Sequence, residues 1–91
     1  MTNEEMKARY KQAELLYVMK ECEDALEILE ELLHAAPGNR DLMIAKIKCL
    51  TAMGFREEAK HLCRTILSSH EDAHAASLLA RLENSEQYSN A

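Results

Sequence analysis

The chain has 91 residues, a net charge of −5, 30% charged residues, and only one Pro and two Gly. This length suits one small domain, and the shortage of Pro and Gly favours helices throughout.

Lys and Arg are scattered and form no basic stripe, so we expect no nucleic-acid partner. No apolar run approaches the roughly 18 residues of a membrane span, so no membrane association is expected. The polar N-terminus is unlike a signal peptide. Three Cys, without a Cys-x-x-Cys pair, indicate reduced thiols in a cytoplasmic protein.

The first four helices are predicted by apolar residues at helical spacing and by signals at their ends. Thr2 and Glu5 form a capping box before the first helix. Pro37 stops the second helix, Asn39 caps the third and Gly54 ends it. The predicted ranges are Asn3–Met19, Cys22–Ala35, Arg40–Met53 and Arg56–Ser68.

The fifth helix is predicted to begin at a second capping box, formed by Ser69 and Asp72, and to end near Glu83. The residues after it are polar and lack an apolar pattern, so we expect them to be disordered. The sequence therefore predicts one all-α domain over residues 1–84 and a disordered tail over 85–91.

A period of 34 residues relates the first two helices to the next two. Ala25 falls on Ala59 when the chain is shifted by this period, and Leu29 falls on Cys63. A fixed period of this length is typical of stacked helix–turn–helix repeats. The odd fifth helix fits such an array, because the last repeat needs an element that covers its apolar edge. An ordinary helical bundle is the alternative.

The residues Ala25, Leu29 and Pro37, echoed by Ala59 and Cys63, resemble the second-helix signature of the tetratricopeptide repeat family. The resemblance implies antiparallel helix–turn–helix repeats that stack into an α-solenoid of five helices. Repeat 1 would span about 6–39, repeat 2 about 40–73, and a capping helix about 70–83. The chain departs from the family pattern where Trp and a second Pro are favoured, at Arg9, Met43 and Glu71.

The resemblance also implies a concave groove that binds a segment of another protein, because family members mostly bind proteins there. The positions carried onto the groove are Lys7, Tyr10, Glu14, Tyr17, Asp41, Ile44, Lys48 and Thr51, with Ala75, Leu78 and Leu82 closing it. Tyr10 and Tyr17, two helical turns apart, are the predicted anchors for an apolar partner.

One branch of the family grips the C-terminal carboxylate of heat-shock chaperones with five polar or basic residues. None of the five matching positions agrees here, and Glu14 would repel a carboxylate, so we predict that this activity is absent. The five positions hold Tyr10, Glu14, Ala45, Ala75 and Leu79.

Other residues that could bind a metal or act in catalysis are better explained as structural. His70 and His74 have the i, i+4 spacing of two metal ligands, but a solvated helix face is the preferred interpretation. Cys22, Cys49 and Cys63 occupy apolar positions, where a free thiol usually behaves as a small hydrophobe. We predict no catalytic site, no metal and no cofactor.

Three functions follow, of which a non-catalytic module that binds a helical or extended segment of a partner protein is favoured. A self-associating structural repeat, such as a homodimer, is the second, and a small metal- or thiol-dependent enzyme is the weakest. A narrower form of the first is a small bacterial secretion co-chaperone of a helical subunit.

Overall fold

The structure is a computed structural model, which describes the backbone of residues 1–89 and the side chains of residues 1–84. It has five helices and no strand within the described residues, so the all-α prediction is confirmed. The helices are α1 Asn3–Val18, α2 Cys22–Ala35, α3 Arg40–Ala52, α4 Arg56–Ser69 and α5 Ala73–Ser89.

Two helices begin at side-chain caps that the sequence predicts. The Thr2 hydroxyl accepts a hydrogen bond from the Glu5 N–H at 3.1 Å, and the Glu5 carboxylate reaches back to the Thr2 backbone. This capping box satisfies N–H groups that the first turn leaves unpaired. The Asn39 side chain does the same for α3, where its oxygen accepts from the Leu42 N–H at 3.0 Å.

The turns after α1 and α3 have the same hydrogen bonds, 34 residues apart. The Glu21 N–H donates to the Leu16 carbonyl at 2.8 Å, and the Phe55 N–H donates to the Leu50 carbonyl at 2.9 Å. These hydrogen bonds, from the N–H of residue i+5 to the carbonyl of residue i, are those of the Schellman motif, which ends a helix by satisfying its last carbonyls. The repeat in the sequence is therefore a repeat in the backbone.

The Schellman motif requires a left-handed residue, and the two turns supply it differently. Gly54 has a φ of +86°, whereas Lys20 occupies the same place in the first turn with a φ of +67°. Gly adopts this conformation without steric cost, but a side chain brings Cβ close to the next carbonyl. The first turn therefore carries a local strain that the second avoids.

The start of α5 differs from the prediction. Ser69 is the last residue of α4, and its hydroxyl donates to the Thr65 carbonyl at 3.4 Å, so it is not the cap of α5. Asp72 is the cap, because its carboxylate accepts from the Ala75 N–H at 3.0 Å. The same carboxylate is held by Arg40 at the start of α3 through two hydrogen bonds of 2.6 and 2.9 Å.

The end of α5 also differs. The helix continues to Ser89, beyond the predicted end near Glu83, while the disorder of the tail stays a prediction. No Gly or Pro occurs between Asn84 and Ser89, and nothing in that stretch forces the helix to stop. Residues 90–91 of the predicted tail lie outside the described residues.

Each helix packs mainly against its neighbours in the chain, which gives an elongated body of 47 × 30 × 17 Å. One cluster of buried side chains joins α1, α2 and one side of α3, and a second joins the other side of α3 to α4 and α5. Leu26 contacts both clusters, so the core is continuous. Ala25 and Ala59 are completely buried in the two clusters, where their small side chains allow close helix–helix contact.

Candidate functional site

A groove runs over the face that α1, α3 and α5 share. It consists of three adjoining pockets, an N-terminal pocket of about 430 Å³, an α1–α3 pocket of about 140 Å³, and an α3–α5 pocket of about 470 Å³. Tyr10 lines both the first and the second pocket, while Tyr17 and Lys48 line both the second and the third. These shared side chains make the three pockets one surface, which we call the groove.

The eight positions carried onto the groove each line one of these pockets, as do Leu78 and Leu82 of the three closing residues. Lys7 and Asp41 lie with Tyr10 in the N-terminal pocket. The α1–α3 pocket holds Tyr10, Glu14, Tyr17, Ile44 and Lys48, and the α3–α5 pocket holds Tyr17, Lys48, Thr51 and Leu78. The structure thus brings these residues together, and their part in binding stays a prediction.

Three of the predicted groove residues are buried. Ile44 is only 4% exposed and forms the floor of the α1–α3 pocket. Ala75 and Leu82 are buried with it in the cluster that joins α3, α4 and α5. The spacing of apolar residues gives the direction of a helix face, but α3 is covered on two sides, so Ile44 is a core residue and not an exposed anchor.

The two tyrosines differ in their surroundings. Tyr10 is half-buried against the first cluster, and this burial, followed by the charges of Glu14 and Asp41, raises the pKa of its hydroxyl. Tyr17 is 37% exposed and lies where the α1–α3 and α3–α5 pockets meet. Tyr17 therefore offers more free aromatic surface, whereas Tyr10 also supports the fold.

Several groove residues were missed in the sequence. Arg56, His74 and Arg81 line the α3–α5 pocket, and Val18 and Ala45 line the α1–α3 pocket. A signal for two of them was present, since His74 and Arg81 are seven residues apart with Leu78 between them, on one face of α5. Arg56 could not be found this way, because it lies at the start of α4, outside the helices that define the groove.

The His pair proposed as a helix face does not form one. His70 follows the end of α4 and His74 lies in α5, so the two belong to different segments. Within the described residues there is no group of three or more side chains that could hold a metal ion.

Cys49 and Cys63 are buried, and burial raises the pKa of the Cys49 thiol to about 11. Cys22 is only partly buried, so the predicted burial holds for two of the three thiols.

No helix in the described part of the chain combines the length and the apolar character that crossing a bilayer requires.

Comparisons with known proteins agree with the repeat. A family model described as tetratricopeptide repeat matches residues 16–82, which is most of the chain. Comparison with curated proteins and comparison with solved structures each gave no match. Tetratricopeptide repeats generally mediate interactions between proteins and are typically non-catalytic. Since the family model matches residues 16–82 and the turns after α1 and α3 repeat at 34 residues, the chain belongs to the tetratricopeptide repeat family.

Proposed function

We propose that this protein is a non-catalytic interaction module whose groove binds a helical or extended segment of another protein. The observation that carries the proposal is the continuity of the groove across α1, α3 and α5, with Tyr17 exposed where two pockets meet. Concave surfaces with accessible aromatic side chains are frequent sites of interaction. An amphipathic helix can place its residues i, i+3, i+4 and i+7 in such a groove.

Flanking charges support a specific orientation of the partner. Lys7 and Asp41 lie at one end of the groove, and Glu14 and Lys48 lie beside its middle. Charges around an apolar strip contribute more to orientation and association rate than to affinity. The apolar surface of Tyr10, Tyr17 and Leu78 would supply most of the affinity.

The experiment measures binding of peptides selected from a random display library on the immobilised protein. Substituting Tyr10→Ala and Tyr17→Ala together should weaken binding by about 2 kcal/mol or more, because aromatic anchors dominate interface energies. Tyr17→Ala alone is the cleaner variant, since Tyr17 is more exposed and its loss should disturb folding less. Circular dichroism on each variant checks that the helices remain.

A matched control changes exposed residues on the opposite face, Glu27→Ala on α2 and His61→Ala on α4. This control should bind the selected peptides as the wild type does. Binding that survives both Tyr substitutions but is lost in the control would place the site on the face of α2 and α4 and would refute the proposal.

Self-association is a second candidate, and one observation favours it. Leu15, Val18, Met19 and Phe55 are large apolar residues between 48% and 74% exposed, and the last three lie in or beside the turns after α1 and α3. Exposed apolar groups at one end of a domain can be covered by another copy. A molar mass of two chains in solution, lost on Val18→Glu, would support the homodimer over the monomeric module.

Two finer assignments complete the proposal. A role as a secretion co-chaperone of a helical subunit is compatible with the small size, the acidity and the groove. A cytoplasmic location fits the three thiols, all of which are free.

A further inference from the structure

The charges that line the groove are unevenly distributed along it. The N-terminal pocket holds Lys7 and Asp41, one of each sign. The α3–α5 pocket is lined by Lys48, Arg56 and Arg81 and by no carboxylate. One end of the groove is therefore cationic, although the whole chain carries a net charge of −5.

None of these three cations forms an ion pair within the part of the chain whose side chains are described. The cross-helix ion pairs there use other basic residues, as in Arg9–Glu31 at 2.7 Å and Lys46–Glu30 at 2.8 Å. Lys48 and Arg56 are half-buried and Arg81 is exposed, so all three can reach a ligand in the pocket. Like charges gathered at one site repel each other. An anionic ligand bound there would relieve this repulsion, so the charges favour its binding.

The same pocket also has apolar walls. Leu78 and Tyr17 line it beside the cations, and its floor includes the buried Leu82. A ligand that satisfies both features has carboxylates next to apolar side chains, which is the chemistry of an acidic amphipathic peptide. A nucleic acid would match the charges but not the apolar surface, and it would meet the net negative charge of the protein.

We propose that the partner is an acidic segment of another protein, with two or more Asp or Glu side chains against Lys48, Arg56 and Arg81. Its apolar side chains then occupy the α1–α3 pocket, between Tyr10 and Tyr17. This inference rests on the proposed function, and it adds the charge of the partner and its direction along the groove. The basic residues involved differ from the five clamp positions of the chaperone-binding branch of the family.

The test uses the library of random 16-residue peptides, sequenced before and after selection on the wild-type protein. Enriched peptides should carry Asp or Glu clustered at one end and apolar residues at helical spacing. Lys48→Gln combined with Arg81→Gln should weaken the best peptide about three- to tenfold and reduce its dependence on salt. Lys11→Gln, which removes an exposed cation of α1 outside the three pockets, is the matched control and should leave the affinity unchanged.

Each contrary result has a distinct meaning. Selected peptides that need Tyr17 but show no acidic enrichment, and bind equally to the Lys48→Gln, Arg81→Gln variant, would overturn this inference and leave the proposed function intact. Failure to select any peptide that needs Tyr17 would overturn both. Tighter binding of a 20-nucleotide single-stranded oligonucleotide than of any peptide would overturn the assignment to an acidic protein. A stable dimer that blocks the groove would identify a second copy as the occupant and overturn it as well.

Discussion

Ala25→Leu is the substitution that tests the packing of the repeat most severely. Ala25 is completely buried in the first turn of α2, and Leu adds three carbon atoms where the core leaves no exposed surface. Ala and Leu have nearly equal helix propensities, so the effect reports on packing and not on the helix itself. Overpacking of this kind costs about 1–3 kcal/mol, which is a large part of the roughly 5–14 kcal/mol expected for a domain of this size.

Urea unfolding followed by circular dichroism measures the effect. With a slope of about 1.5 kcal/mol per molar urea, the midpoint of the Ala25→Leu variant should fall by roughly 0.7–2 M. Ala35→Leu, at the exposed end of the same helix, is the matched control and should leave the midpoint nearly unchanged. Equal midpoints for the two variants would show that Ala25 does not lie at a tight contact, and the packing described above would then be wrong.

Three further predictions concern turns, caps and the last helix. Lys20→Gly should stabilise the fold by about 1 kcal/mol in urea, because it relieves the left-handed strain that Gly54 avoids; a destabilised variant would show that no strain is stored there. The hydrogen bonds from Arg40 hold the pKa of Asp72 well below its usual 3.8, so they stabilise the fold above that pH and are lost as the pH falls towards the lowered value. The thermal midpoint of the wild type should therefore decrease as the pH is lowered below about 4. The midpoint of Asp72→Asn, which keeps a capping oxygen, should decrease less over the same range, and parallel pH profiles would contradict this. Truncation after Ser69 should leave a chain that aggregates or unfolds, since α5 covers the apolar side of α4; a soluble, cooperatively folding fragment would show that this cover is dispensable.

Most of the fold could be predicted because its determinants are local. The signals at Thr2, Asn39 and Gly54 act within a few residues, and each holds in the structure. Ser69 was misassigned because two capping patterns overlap, and the choice between them depends on a distant residue. Arg40 binds Asp72 across 32 positions of the chain and anchors the cap there.

The candidate site was predictable in outline, and its charge was not. The positions of Tyr10 and Tyr17 follow from the repeat, whereas the burial of Ile44 depends on how α3 packs between its neighbours. The cationic pocket joins Lys48 of α3 to Arg81 of α5 and to the first residue of α4. No spacing in the sequence indicates that these residues share a pocket, because three separate helices contribute them.

The central claim is that the groove of α1, α3 and α5 is the surface that holds a partner. Its most direct test is the change in backbone amide chemical shifts when a selected peptide is added to the ¹⁵N-labelled protein. The account predicts that the largest changes fall on residues lining the three pockets, with Tyr17, Lys48 and Leu78 at their centre. Changes centred on the exposed faces of α2 and α4, with the groove unaffected, would contradict it.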